Sequence, residues 1–251
     1  METFRIIPIK TGEFTALEKS SFTYLVDAGT KIVVPVVMFL LQGRNRVVLV
    51  DTGGSDEAWA RKYHHPVRRA EGEDPVSGLR RHGIDAADVD TIVHTHLHWD
   101  HCFNDSLFPN ARIHVQRAEL RYAADPLPAH DVYYESERIG MRPRWRDVAS
   151  RMVEVDGDAR LCDGIDLMLL PGHTPGLQGI QVETEDGRYL LPSDTTPLFE
   201  NWHGNAVHRH IPCGIHVDLA AWYASVARIE ATGAKVLASH DPAVLAREAY
   251  P

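Results

Sequence analysis

His94-Thr95-His96-Leu97-His98-Trp99-Asp100-His101 places four histidines and an aspartate within eight residues. The segment begins where the β-branched run Thr91 to His94 predicts a strand to end. Strand ends and the loops beyond them are where a rigid scaffold presents reactive groups. His96 and His98 are two apart, so in an extended chain both project to the same side and can grip one ion. Asp100 and His101 are adjacent and, past a turn, can point at a neighbouring ion. Neutral imidazole and carboxylate suit zinc, and also iron or manganese. A single histidine here would read as a polar surface residue. So many costly polar groups converging after one strand read as a metal site.

The chain around this segment has 251 residues, with 26 Lys+Arg against 35 Asp+Glu and a formal net charge of −9. Apolar residues make up 44% and charged residues 24%, which excludes disordered, collagenous and coiled-coil chains. An acidic chain lacks the broad positive field that holds a phosphate backbone, so no nucleic-acid partner is expected. The N-terminal stretch shows no positive region followed by an apolar one, so no secretory signal is expected. The longest apolar run, Ile32 to Leu41, is interrupted by Pro35 and falls short of the ~20 residues that span a bilayer, so no membrane partner is expected either. Cys102, Cys162 and Cys213 are an odd set without C-x-x-C spacing, which argues against a disulfide framework or a cysteine zinc ribbon. Cys102 beside His101 reads as a small buried side chain. A reducing, cytoplasmic setting follows.

Phe4 to Ile9, Ile32 to Leu41 and Val47 to Val50 read as three consecutive antiparallel strands, closed by the Asp51-Thr52-Gly53-Gly54 turn. Asp74-Pro75 opens a helix through about His82 that Gly83 stops. Gln116 to Ala123 is helical in pattern. Residues 125–146, rich in Pro, Arg, Tyr and His, read as an irregular lid insertion. Leu167 to Leu170, Gly179 to Glu183 and Arg188 to Leu191 are further strands, the last two joined at Glu185-Asp186-Gly187. Asp218 caps a helix carrying Leu219, Trp222, Val226 and Ile229, Gly233 ends it, and Lys235 to Ala238 is a final strand before His240. Strands in two groups separated by helices suggest two sheets with helices outside them, within one domain spanning residues 1–251.

His96 to His101 resembles the metal-binding motif of the metallo-β-lactamase superfamily. The rest of the pattern follows in order. Asp51-Thr52-Gly53 resembles its aspartate-bearing turn, His173 lies in a Pro171-Gly172-His173-Thr174-Pro175-Gly176 loop like its third motif, Asp194 follows a strand, and His240 follows the last one. The resemblance implies an α/β fold, an αββα sandwich of two mixed β-sheets with helices on the outer faces and the site at one edge. It further implies two divalent metal ions, zinc foremost with iron, manganese or cobalt as alternatives. His96, His98 and His173 would hold the first, Asp100, His101 and His240 the second, and Asp194 would bridge them. Asp51 reads as an orienter of a ligand, or as a turn-capping residue.

Such a centre implies hydrolysis of an acyl bond, with Asp100 handling a proton. Asp194 at the bridging position argues against a true β-lactamase, and the chain is too short for an added nuclease or flavin domain. The text around the motifs, including Ile211 to Asp218, is most similar to the N-acyl-homoserine lactone lactonases, the quorum-quenching branch. The expected activity is lactone opening on a small acyl substrate. The alternatives are a glyoxalase-II-like thioesterase and a metal-binding protein with vestigial activity. A member of the lactonase group carries a carbonyl-binding tyrosine three residues beyond the bridging aspartate, and Pro197 stands there in this chain. A donor is then missing or supplied from elsewhere, with His216 as the candidate among His203, His208, His210 and His216. Tyr133, Tyr134 and Trp145 in the lid are the aromatic candidates for packing on the substrate, or else for anchoring this irregular segment to the core.

Overall fold

The computed structural model describes residues 2–251. One sheet consists of β1 (Arg5–Glu18), β2 (Lys31–Gln42), β3 (Val47–Val50), β4 (Val67–Arg68), β5 (Thr91–Val93), β6 (Arg112–Gln116) and β7 (Met152–Val155), in the spatial order β4-β1-β2-β3-β5-β6-β7. The other consists of β8 (Ala159–Cys162), β9 (Ile165–Leu169), β10 (Gln178–Thr184), β11 (Gly187–Leu191) and β12 (Lys235–Val236), in the order β12-β11-β10-β9-β8. Both are mixed. β1, β2 and β3 are antiparallel neighbours, whereas β3, β5, β6 and β7 run parallel, and β11 is antiparallel to β10 but parallel to β12.

Alternation along β2 sets the layers. Val37, Phe39 and Leu41 face the second sheet and pack with Ile165, Leu167, Ile180, Val182 and Leu191, while Met38 and Leu40 face outward onto Leu79, Phe108 and Val148. Because β2 is apolar on both faces, it buries both, which is why Ile32 to Leu41 reads as an unbroken run. Each fully buried Leu, Ile or Val contributes roughly 1.5–3 kcal/mol, so this central strand is a large share of the driving force. Leu79 belongs to α2 (Pro75–Arg80), where the Asp74 carboxylate accepts from Ser77 N at 2.9 Å. On the far face of the second sheet lies α6 (Leu219–Thr232), capped by Asp218 and stopped by Gly233 at φ +64°, with Ile229 against Leu170 and Leu190. The result is an αββα sandwich, two mixed sheets with helices on the outer faces.

Several elements differ from their sequence reading. β1 continues to Glu18 because it bends at Gly12, a register shift at φ +149°, and goes on pairing with β2 past the point where its own apolar run stops. β12 ends at Val236 rather than Ala238, since after Leu237, whose N–H still donates to Leu190 O at 3.0 Å, the chain turns away to carry His240 inward. α2 ends two residues before His82. β6 is absent from the sequence reading because Arg112 and His114 alternate with its two apolar residues, Ile113 and Val115. Residues 125–146 form 3-10 turns, Pro128–His130 and Glu137–Ile139, and the start of Arg144–Arg151. Among the described residues no helix is long and apolar enough to cross a membrane.

Candidate metal centre

Every candidate ligand lies just beyond a strand's C-terminal end, so the sheets deliver them all to one edge of the sandwich. Asp51 follows β3, His96 to His101 follow β5 and run into the short helix α3 (Trp99–Cys102), and Asp194 and His240 follow β11 and β12. His173 sits in the loop after β9. Gly172 there has φ +146°, and a Cβ on it would lie 2.5 Å from the Trp222 Cα, so only glycine lets the loop seat against α6. Asp51 and Ser193 both hold left-handed backbone, φ +59° and +50°, beside the site. Local strain of this kind persists where surrounding contacts enforce it.

These elements bring together three groups whose ligand atoms lie within 4.8 Å of one another: His96, His98 and His173; His96, His101 and Asp194; and Asp100, His101 and His240. Asp194 stands between them. Its Oδ2 is 3.6 Å from Nε2 of both His101 and His173 and 4.0 Å from that of His96, while its Oδ1 is 3.3 Å from His240 Nε2. Ser239 Oγ donates to that same Oδ1 at 2.7 Å and fixes the carboxylate. Asp100 Oδ2 is 3.7 and 3.8 Å from His101 and His240 Nε2.

Hydrogen bonds on the far side of each ring decide which nitrogen is left over. His173 Nδ1 meets Ile215 O at 2.7 Å and His240 Nδ1 meets Pro35 O at 2.9 Å. A carbonyl only accepts, so both rings carry the proton on Nδ1 and turn a lone pair inward from Nε2. Pro35 suits this place in β2, because the side facing His240 needs no N–H. His101 Nδ1 donates to Asp51 at 2.8 Å, and His96 Nδ1 lies 3.1 Å from Thr95 Oγ1, whose own proton goes to Asp51. The Nε2 atoms of His96, His101 and His240 are buried and without any hydrogen-bond partner. His98 instead aims Nδ1 at His173 Nε2, 3.1 Å away. Two imidazole nitrogens on a tetrahedral ion with bonds of about 2.0–2.1 Å would stand about 3.3 Å apart. Orphaned inward nitrogens, a nitrogen pair at this spacing and two carboxylates are a donor set that fits a pair of divalent cations.

The electrostatics agree. Burial, followed by the positive neighbours, pushes His96 and His98 well below the usual imidazole range, and burial lowers His173 too, so these three present lone pairs. Burial opposes a proton on His101 and His240, yet the facing carboxylates raise both, with Asp100 foremost for His101 and Asp194 for His240. Asp51 is buried, which opposes its charge, but His101 and His94 hold its pKa at about 2. It accepts from Thr95 N and Thr95 Oγ1 at 2.8 Å as well, so it orients ligands rather than capping a turn.

Over this floor opens a cavity walled by Phe14, Leu17, Phe22, Trp99 and Ile215, with His65 and Tyr133 among the apolar groups. Tyr133 is thus placed at the wall. Tyr134 and Trp145 are not. Tyr134 is buried with its hydroxyl donated to Glu119 at 2.6 Å, and Trp145 is 9% exposed in a cluster with Leu97 and Cys102. Being interior, neither reaches the cavity. His216 is also outside the lining, its Nδ1 held by Cys213 O at 2.9 Å and its ring against Tyr24, while Ile215 takes the wall position. A wider surface groove of about 660 Å³ near Lys10, Arg81 and Arg247 contains none of these ligand groups.

Sequence reasoning missed several contributors. Phe14, Leu17 and Phe22 come from the long β1 and the turn after it, and nothing in their spacing marks them as cavity residues. Glu119, on α4 (Arg117–Ala124), is fully buried and accepts from Leu97 N at 3.0 Å, Thr174 Oγ1 at 2.6 Å and Tyr134, clamping the His96–His98 loop to the His173 loop. His94 lies between Asp105, at 2.8 Å from Nε2, and Asp51, at 3.4 Å from Nδ1. His94 opens the quoted motif, so its presence near the site was visible but its partner Asp105 was not.

A fold of two mixed sheets carrying this ligand arrangement at one edge places the chain in the metallo-β-lactamase superfamily, whose family model matches residues 32–240. Among its relatives, an N-acyl homoserine lactonase of Bacillus sp is 31% identical over 196 residues, covering 74% of each chain. The N-acyl homoserine lactonase AttM of Azorhizobium caulinodans is 29% identical over 232 residues, covering 85% of this chain and 84% of its own. In three dimensions the chain is similar to a mutant of B. thuringiensis AiiA with N-decanoyl-L-homoserine bound at its active site, at TM-score 0.78 and 25% identity over 96% of this chain and 95% of that one.

Proposed function

We propose that this chain is a dinuclear-metal hydrolase that opens the ring of N-acyl-homoserine lactones. The observation that carries the proposal is the set of inward, partnerless imidazole nitrogens and two carboxylates beneath an apolar-walled cavity. The relatives named as lactonases point to the same substrate class. His96, His98 and His173 would hold one ion, Asp100, His101 and His240 the other, and Asp194 both. Zinc suits this nitrogen and oxygen set, with iron, manganese and cobalt as alternatives. Bound there, two divalent ions supply a nucleophile from water at neutral pH, polarise the acyl carbonyl and offset charge on the leaving oxygen.

The chain's own residues do the rest. Asp194, held by Ser239, keeps the two ligand groups at fixed separation, and Asp51 and the backbone carbonyls keep each imidazole in the right tautomer. Asp100 lines the cavity at the ligand floor, placed to take a proton from the attacking water and return it to the ring oxygen as the lactone C–O bond breaks. Phe14, Leu17, Phe22 and Trp99 exclude water and pack on the acyl chain. The working protein is read as one domain over residues 1–251 in the cytoplasm, with a small acyl molecule as its partner and neither nucleic acid nor membrane.

The test is kcat/KM for an acyl-homoserine lactone and for a glutathione thioester on one preparation. Alkoxide is the poorer leaving group and gains more from a fully liganded pair of ions than thiolate does, so the lactone should be preferred. A thioester preferred by about tenfold, about 1.4 kcal/mol in transition-state binding, would overturn the assignment.

A further inference from the structure

We propose that the Tyr133 hydroxyl is the hydrogen-bond donor to the carbonyl oxygen of the reacting acyl group. The proposal rests on the lactonase reading and assigns to Tyr133 a role beyond apolar packing.

The cavity holds few groups able to serve. His98, Asp100, His173 and Asp194 are taken up as candidate metal ligands, Phe14, Leu17, Phe22 and Ile215 carry no side-chain donor, and this leaves Tyr133, His65 and the indole of Trp99. The Trp99 ring is stacked flat on His64, with centroids 4.1 Å apart, and meets Phe14 edge-on. His65 meets Phe14 edge-on, with centroids 6.3 Å apart, and has no ring contact with the floor histidines among the described residues. Tyr133 leans its ring over His98, with centroids 5.2 Å apart, above the part of the floor where three imidazoles converge.

The neighbouring tyrosines show the contrast. Tyr134 donates to Glu119, and the Tyr122 hydroxyl is engaged with His130 Nδ1 at 3.0 Å. No hydrogen bond within the protein engages the Tyr133 hydroxyl among the described residues, although its backbone is tied on both sides. Tyr133 N donates to His130 O at 3.0 Å, and Tyr133 O accepts from Trp99 N at 2.9 Å, the first residue of the short helix that carries Asp100 and His101. A half-buried phenol that lines the cavity, tied through its backbone to the ligand helix and with its hydroxyl uncommitted, is a preorganised donor. The position after Asp194 that sequence comparison would search for such a donor is Pro197, and its carbonyl accepts from His240 N at 2.9 Å. That position is therefore spent on holding a ligand.

In the reaction, hydroxide from water adds to the acyl carbon, the ring C–O bond breaks, and the ring oxygen takes the remaining proton. Tyr133 keeps its own proton throughout and strengthens its hydrogen bond as negative charge gathers on the carbonyl oxygen. Such a donor acts mainly in the transition state, so its loss lowers kcat and kcat/KM together.

Tyr133→Phe keeps the ring and removes the hydroxyl. With metal content equal to wild type, kcat on N-hexanoyl-homoserine lactone should fall by about tenfold or more while KM stays nearly constant. A second readout needs no turnover: the infrared carbonyl stretch of a ¹³C-labelled N-hexanoyl γ-lactam, a slow analogue, should lie at lower frequency bound to wild type than bound to Tyr133→Phe. Unchanged kcat with an unchanged carbonyl stretch, or a raised KM alone, would overturn the role of Tyr133. Wild-type protein inactive on the lactone would overturn the lactonase reading and this proposal with it, so the two failures are told apart by the wild-type arm.

Discussion

At the scale of single residues, the site is governed by which partner each imidazole has on its outer side. His96, His101, His173 and His240 are each held by a carbonyl, a carboxylate or a hydroxyl on the outer side, and this turns Nε2 inward, where only that of His173 meets another ring, at His98 Nδ1. His94 is the opposite case, with carboxylates on both sides. Burial opposes its charge, but Asp105 and then Asp51 raise its pKa to about 9. A group raised above its unfolded value adds stability that is complete below about 6.5 and lost as pH climbs through about 9. Unfolding free energy from urea titrations should thus fall by about 3 kcal/mol over that window, and His94→Gln should flatten the profile. A wild-type protein equally stable at both ends would show that His94 is not held as a cation. The motif made His94 conspicuous, but Asp105, eleven residues on, is fixed as its partner only by the fold.

Among the elements, the segment 125–146 is the one whose role changes most. Aromatic and proline content predicts an irregular insertion that lids the substrate. In the fold its middle is anchored instead: Glu135 is buried and accepts from Trp59 Nε1 at 2.6 Å, on the helix α1 (Glu57–Tyr63), and lies 2.9 Å from His64 Nε2. Arg138 ties the segment to itself through Asp125 and Asp131. Only Tyr133 reaches the cavity. The cavity wall comes instead from β1 and the turn beyond it, through Phe14, Leu17 and Phe22. Trp145→Ala should therefore cost about 3 kcal/mol or more of stability and leave the acyl-chain dependence of KM unchanged. Phe22→Ala should raise KM more for long-chain than for short-chain lactones. Steady-state kinetics across a chain-length series checks both, and the reverse pattern would restore the lid as the acyl site.

For the whole molecule, two sheets converge on one edge, and stability and metal binding are coupled there. Both sheets supply the candidate ligand groups, from the loops after four strand ends, so ions bound between them would tie the halves of the sandwich together. Ligation also satisfies buried nitrogens that otherwise have no partner. Metal-loaded protein should contain close to two ions per chain by elemental analysis. Removing them with a chelator should lower the unfolding free energy by about 4 kcal/mol for each ion present at a thousandfold over its Kd. One ion or none in supplemented protein, or an unchanged melting curve, would refute the dinuclear site.

The amino-acid sequence by itself determined the fold class, the strands with unbroken apolar runs and the histidine and aspartate stations from Asp51 to His240. Those signals are local: a period, a cap, or ligands packed into eight residues. Only the tertiary structure decided what faces the site. Glu119 looks like a helix-surface residue and is the buried clamp between two ligand loops. Pro35 looks like a strand interruption and is the acceptor that orients His240. His216, Tyr134 and Trp145 look like pocket residues and lie outside it. The reason is that a side chain's chemistry is written at its own position, whereas its partners are brought from far along the chain by sheet pairing and packing, and hydrogen-bond partners set which atom of each ring is free to act.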